Sequence, residues 1–228
     1  MKLHFFCMSL LLSLSVFSEY VETTVSVNNV FVPKGFDSND DAEVVLKGYF
    51  PSTCYLRAKA QANINKDGIH VSVKAKKLTD RNCIMVEVPF TLPVKLGNLN
   101  TGVHNIIVND NFYSSITIEK AGTSKIDNYN YANVVSVEKE NGQIVMKGYH
   151  PSSCMVFDQV IVQTNDNNDT VSVMPVIKQQ ENKPICDRRA IPFSYALDLP
   201  NNSLSIKDIL VHVRTIDGNA LNAVFNQE

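Results

Sequence analysis

Apolar and polar residues alternate along much of this chain with a period of two. Residues 55–64 read Tyr-Leu-Arg-Ala-Lys-Ala-Gln-Ala-Asn-Ile, and residues 69–77 read Ile-His-Val-Ser-Val-Lys-Ala-Lys-Lys. Successive side chains of a strand point to opposite faces, so this period marks half-buried strands rather than helices. Short segments rich in Val, Ile, Tyr and Thr, divided by polar turns, predict strands at 23–32, 43–50, 55–64, 69–77, 84–96, 103–109 and 112–119. A second series is predicted at 133–139, 143–150, 156–164, 170–178, 186–199, 208–215 and 220–225. Asn65-Lys66-Asp67-Gly68 has the composition of a hairpin turn, and Asn165 to Asp169 is an equally polar one.

The two series repeat one another. Leu46-Lys47-Gly48-Tyr49-Phe50-Pro51-Ser52-Thr53-Cys54 returns as Met146-Lys147-Gly148-Tyr149-His150-Pro151-Ser152-Ser153-Cys154, at an offset of 100 with six of nine positions identical. Val71-Ser72-Val73 returns as Val171-Ser172-Val173, and past a small insertion Cys83 and Pro89-Phe90 match Cys186 and Pro192-Phe193. Internal similarity in the same order along both halves reads as a duplicated domain. Each half carries its own cysteine pair, so the repeat favours disulfides Cys54–Cys83 and Cys154–Cys186. Each would stabilise its half by roughly 3.5 kcal/mol in the chain-entropy view. Seven short strands in about 100 residues with one internal disulfide fit an immunoglobulin-like sandwich, although the chain has no Trp to pack on the disulfide.

The amino terminus reads as an export signal. Lys2 precedes a short apolar core from Phe5 to Phe17, and Val16 and Ser18 suit a cleavage site before Glu19. That core is shorter than the ~20 residues of a membrane span. Disulfides belong in the oxidising compartment to which such a signal leads, so a secreted or periplasmic location is expected. The expectation is an all-β chain: a signal peptide at 1–18, then two tandem immunoglobulin-like β-sandwich domains at 19–121 and 122–228, with one disulfide each.

The stretch Val32-Pro33-Lys34-Gly35-Phe36-Asp37-Ser38-Asn39-Asp40, followed by Gly48-Tyr49-Phe50-Pro51 and Cys54, a second Cys and Pro-Phe, resembles a pattern in small secreted bacterial proteins. The resemblance covers most of the first half and, without the Pro-Lys-Gly-Phe-Asp segment, the second. It implies export and a compact β fold, and carries no activity and no site.

Candidate chemistry changes this picture little. Lys and Arg number 21 against 23 Asp and Glu, for a formal net charge of −2, which gives no support for nucleic-acid binding. No Gly-x-Ser-x-Gly, His-Glu-x-x-His or phosphate-binding glycine loop occurs. His70, His104, His150 and His212 share no pattern between the halves, and His150 stands where the first half has Phe50. No enzyme and no cofactor are expected. The loop Asp37, Asn39, Asp40, Asp41 and Glu43 offers oxygen ligands of the kind calcium takes, but lacks EF-hand spacing; a solvated acidic loop is the default. Asn168-Asp169-Thr170 and Asn201-Asn202-Ser203 match glycosylation acceptors.

Two hairpin faces are binding candidates. Strand alternation places Arg57, Lys59, Lys74 and Lys76 on one solvated face, a hint of an anionic partner set against the plainer role of keeping a sheet soluble. The aligned face of the second half carries Phe157, Ile161, Met174 and Val176, and its other side is apolar too. A hairpin apolar on both faces implies packing against the first half, a second chain or a partner. The functional expectation is a non-enzymatic binding module for a protein, glycan or surface partner. The alternative is a protease inhibitor presenting the disulfide-anchored loop at Cys54 or Cys154.

Overall fold

The computed structural model describes residues 19–181, 185–198 and 208–226. The proposed signal at 1–18 and the acceptor Asn201-Asn202-Ser203 lie outside the described residues. The first half contributes β1 (Tyr20–Thr24), β2 (Val27–Phe31), β3 (Ala42–Phe50), β4 (Tyr55–Ile64), β5 (Ile69–Leu78), β6 (Val88–Gly97), β7 (Gly102–Val108) and β8 (Phe112–Ile118). The second contributes β9 (Asn133–Glu140), β10 (Gln143–His150), β11 (Met155–Thr164), β12 (Thr170–Gln179), β13 (Ile191–Leu197), β14 (Asp208–Arg214) and β15 (Ala220–Asn226).

Each half is a β-sandwich, and the strands are ordered alike in both. Sheet β2-β3-β6 packs on β4-β5-β7-β8, and β9-β10-β13 on β11-β12-β14-β15. One parallel pairing, β5 with β7 or β12 with β14, sits inside the larger sheet of each half, and in the first β1 also pairs with β5 to make five strands. The alternation read from sequence fills the first core: Val44 and Leu46 of β3 meet Val71 and Val73 of β5, Ile106 of β7 and Ile116 of β8. Met146, Val171, Val173 and Val211 do the same in the second. Disulfides Cys54–Cys83 and Cys154–Cys186, with Cα separations of 5.4 and 5.3 Å, tie the loop after β3 or β10 to the segment leading into β6 or β13.

The repeated Gly-Tyr-x-Pro segment has a packing cause. A Cβ at Gly48 would stand 2.3 Å from the Ser26 carbonyl oxygen and 2.5 Å from the Phe90 ring. At Gly148 it would meet the Asn133 carbonyl oxygen at 2.1 Å and Phe193 at 2.8 Å. Both glycines sit opposite the Phe of the repeated Pro-Phe pair.

Three details depart from the sequence reading. The strand expected at 23–32 is two strands in different sheets, because Val25 turns into the core and its N–H binds the Val73 carbonyl. Residues 84–87 precede β6 as an exposed loop, and β13 begins at Ile191 rather than 186. Third, β11 carries a bulge between Phe157 and Gln159 that reverses the facing of its first residues.

Residues 130–132 take, in the second sandwich, the place that β1 takes in the first. Tyr131 bridges Val176, as Glu22 pairs with Lys76, while Ala132 N–H and Ile177 N–H bond Pro175 and Asn130 carbonyls. The connection between the halves is therefore an edge segment of the second sheet.

Candidate functional site

The two sandwiches meet through strands buried on both faces. Along β3, Val44 and Leu46 face the first core, while Phe31 and Val45 cluster with Leu210 and Val224 of the second sandwich. Lys47, nearly fully buried, reaches across to Asp208 at 2.6 Å and Asn226 at 3.1 Å. On the same face a hydrogen-bond chain crosses the boundary: His212 Nδ1 lies 2.9 Å from Asn222 Oδ1, and Asn222 Nδ2 donates to Glu43 Oε1 at 2.6 Å. Burial pushes the His212 imidazole down to about 4, and raises the Glu43 carboxyl above its ordinary value.

The segment between β2 and β3, which the second half replaces with the two-residue turn Asn141-Gly142, clasps the second sandwich. Asp40 grips Arg214 with both oxygens, at 2.5 and 3.0 Å, and Asp127 binds the same guanidinium at 2.6 Å. Arg214 also lies against the rings of Phe36 and Tyr131, and Gly35 O accepts from its Nη1. Burial opposes the guanidinium charge, but the carboxylates more than offset this and raise its pKa. Phe36 stands edge-on to the His212 ring, and Lys34 N–H bonds Ser172 Oγ at 2.8 Å.

The expected acidic loop is therefore neither solvated nor arranged for calcium. Asp37 and Asp40 are buried; Asp37 accepts from Asn39 N–H and Asn128 Nδ2, and Asp40 is occupied by Arg214 and the Asp37 N–H. Asn39 donates to carbonyls of Thr123 and Lys125, Asp41 pairs with Lys95, and Glu43 joins the interface chain. Among the described residues no group of three or more His, Cys, Asp or Glu could hold a metal ion.

Holding the sandwiches in one orientation leaves a cleft of about 920 Å³ between them. Its floor is Val32–Gly35, one wall is the outer face of β7 and β8, and the other is the tip of the β11–β12 hairpin. Asn105, Ser115, Thr117, Gln163 and Asn167 line it, and their side chains bond no other described residue. The Thr164 hydroxyl there is buried and also without a partner. Tyr113, 70 % exposed, presents its ring at the rim. Lys34 and Asp166 pair across the cleft at 2.7 Å. Amides, hydroxyls and one open aromatic face suit a ligand rich in hydroxyls, by hydrogen bonding and stacking.

A family model described as the ORF11 beta-sandwich domain matches residues 44–118. That stretch runs from β3 to the end of β8. No curated protein and no solved structure matches the chain.

Of the binding candidates, Lys59 and Lys74 stand directly opposite one another, and Arg57 falls in a bulge of β4 facing Lys76. Arg57, Lys59 and Lys74 are exposed and make no ion pair with described residues; Lys76 covers the Tyr20 ring with its Nζ at 3.8 Å. Met174 and Val176 are buried with Tyr131, Ile161 packs beside them, and the Met174 Sδ abuts Gly35 of the clasp. Phe157 does not share that face. The β11 bulge turns it into the second core, against His150, Phe193 and Tyr195.

In the loop proposed for inhibition, Pro51 and Thr53 are exposed and alternate with inward-facing residues. Ser52 and Cys54 are buried, whereas Ile84, Met85 and Val86, beyond the disulfide partner, are exposed by 72, 79 and 48 %. Sequence reasoning missed Arg214 and gave Asp40 and His212 no part in an interface. The segment's absence from the second half was the one signal that could have found the clasp.

Proposed function

We propose that this β-sandwich chain is an exported, non-enzymatic binding module that holds a glycan in the cleft between its sandwiches. The observation carrying this is the set of unpartnered amide and hydroxyl side chains on both walls of the cleft: Asn105, Ser115 and Thr117 beside Tyr113, and Gln163, Thr164 and Asn167 opposite. Export is supported by the signal-like residues 1–18 and by the two disulfides. A non-enzymatic reading is supported by where the histidines go. His212 is sealed in the interface, His150 sits among aromatic rings, His70 pairs with Asp67, His104 bonds the Asn100 carbonyl, and none lines the cleft. A glycan array followed by titration calorimetry tests the reading. Tyr113→Ala, at an exposed position, should weaken binding of any glycan found by about tenfold, the scale of one lost stacking contact. No glycan binding, or binding indifferent to Tyr113 and Ser115, would remove it.

A second reading has its own observation. Ile84-Met85-Val86 is an exposed apolar stretch beside Cys83, braced by Thr53, whose Oγ1 accepts the Ile84 N–H and whose N–H bonds the Ile84 carbonyl. A braced, disulfide-tethered apolar loop is a form a protease cleft could accept, with Met85 at the specificity pocket. Serine proteases preferring large apolar residues should then be inhibited by the parent and not by Met85→Asp, and unhindered proteolysis by the parent would dispose of it.

A further inference from the structure

The wall of the cleft does not end at the cleft. The outer faces of β7 and β8 continue across the same sheet to β5 and β4, because Tyr113 pairs with Ile107, Ile107 with His70, and His70 with Asn63 in one cross-strand row. Four residues further along β5, Lys74 faces Lys59, with Lys76 and Arg57 beyond. At about 3.3 Å per residue and 4.8 Å per strand, Tyr113 lies roughly 16 Å from Lys74 along this face. Between them come Ile107 of β7 and His70 and Ser72 of β5. The surface is thus a track, polar and aromatic at the cleft and cationic at the far end. Glu119 and the Lys34-paired Asp166 also stand at the cleft and favour neutral sugar positions there, with carboxylates placed at the far end.

The cationic end is built at a cost. Like charges directly opposite across strands are unfavourable, and in the second sandwich the positions of Lys74 and Lys76 are Met174 and Val176. The acid in register on this face is Glu22, opposite Lys76, and it makes no ion pair there. Other strand cations are paired, Lys95 with Asp41, Lys147 with Glu138 and Glu140, and Lys178 with Asp158. Lys77 and Lys139 stand exposed without an ion pair to a described residue, but neither has a second cation directly opposite.

We infer that the ligand of this face is an acidic polysaccharide, a linear chain that enters the cleft at Tyr113 and lays carboxylate-bearing sugars over Lys59 and Lys74. The inference rests on the cleft reading and names its ligand class. Sugar faces stack on Tyr113, hydroxyls bond Asn105, Ser115 and Thr117, and the carboxylates neutralise the lysine pair. Two lysines one strand spacing apart form a point of high positive potential that a uronate relieves.

The test uses polygalacturonate oligomers and the same oligomers fully methyl-esterified, which share one sugar backbone but carry neutral esters in place of carboxylates, with the full chain carrying its disulfides. Calorimetry should show the acidic oligomer bound about tenfold or more tightly over the ester, with the difference shrinking as salt rises. The exposed double substitution Lys59→Glu/Lys74→Glu should erase that preference while ester binding and thermal unfolding stay as in the parent. Tyr113→Ala should weaken both oligomers. Equal binding of acid and ester, or a preference untouched by the charge reversal, would overturn the inference and leave the cleft reading standing. Binding of neither would overturn this inference, and the cleft reading would then stand or fall on the glycan array. Phosphatidylglycerol vesicles or single-stranded DNA bound as tightly as the acidic oligomer would overturn the assignment to a polysaccharide.

Discussion

His212 and Glu43 are titratable groups sealed in one dry boundary, and they respond to acid in opposite senses. His212 is neutral in the fold because burial holds its pKa at about 4, below the ordinary 6.5. Its contribution to stability is complete above pH 6.5 and is lost as pH falls toward 4, because the unfolded imidazole takes up the proton first. Over pH 7 to 4.5 that loss is about 2–3 kcal/mol at 1.36 kcal/mol per unit. Glu43 is raised, so its contribution is complete below 4.5 and is lost as pH rises through its folded value; acidification therefore restores part of what His212 forfeits. Urea unfolding of the parent and two variants at pH 7 and 4.5 checks both signs. His212→Gln should lose less stability on acidification than the parent, and Glu43→Gln should lose more. Matching losses in all three proteins would show that neither group titrates across folding. None of this was legible in the linear sequence, since Glu43 and His212 lie in different halves and meet only when the sandwiches dock.

Strand positions, by contrast, were largely readable, because a period of two is a local consequence of burial on one face. The hairpin β4–β5 falls within a residue of its expected bounds, and the Asn65 N–H closes its turn on the Gly68 carbonyl. Bulges leave no such mark. One extra residue at Asp158 sends Phe157 to the core and leaves Ile161 outside, and nothing in the apolar string Met155-Val156-Phe157 announces it. The clasp was misread for a related reason: Asp37 and Asp40 look like water-seeking carboxylates until Asn128 and Arg214 are placed beside them. At this scale the repeated glycine makes a sharp prediction. Gly148→Ala forces a methyl against both the Asn133 carbonyl and the Phe193 ring, so β9, β10 and β13 must separate at that point. A loss of about 2–3 kcal/mol is expected, at the upper end of overpacking costs, read from denaturant midpoints under non-reducing conditions. Because the backbone oxygen stays in place, adding Phe193→Leu should recover little of it. Full rescue by that second change would mean the ring alone required the glycine.

The contact between the sandwiches joins two different faces: the β2–β3 side of the first to the β12–β14–β15 side of the second. An association of this kind is not self-closing, and in separate molecules it would leave at each end a surface matching the other, the geometry of an open fibre. The free surfaces equivalent to those two are the β9–β10 face and the β5–β7–β8 face, and both differ where growth would begin. Register places Glu138 beside Val145 where the first sandwich has Phe31 beside Val45. Lys74 and Lys76 stand where the docked sandwich has Met174 and Val176, and the clasp has no counterpart between β9 and β10. Glu138→Phe with Lys74→Met and Lys76→Val should therefore convert a protein of constant mass into one whose light-scattering mass climbs with concentration, while reverting Glu138 alone should halt the climb. A triple variant that keeps the parent's mass would show that something other than these three residues limits assembly. A few charged side chains, and a loop present between β2 and β3 but not between β9 and β10, set the two free faces apart from the two that dock.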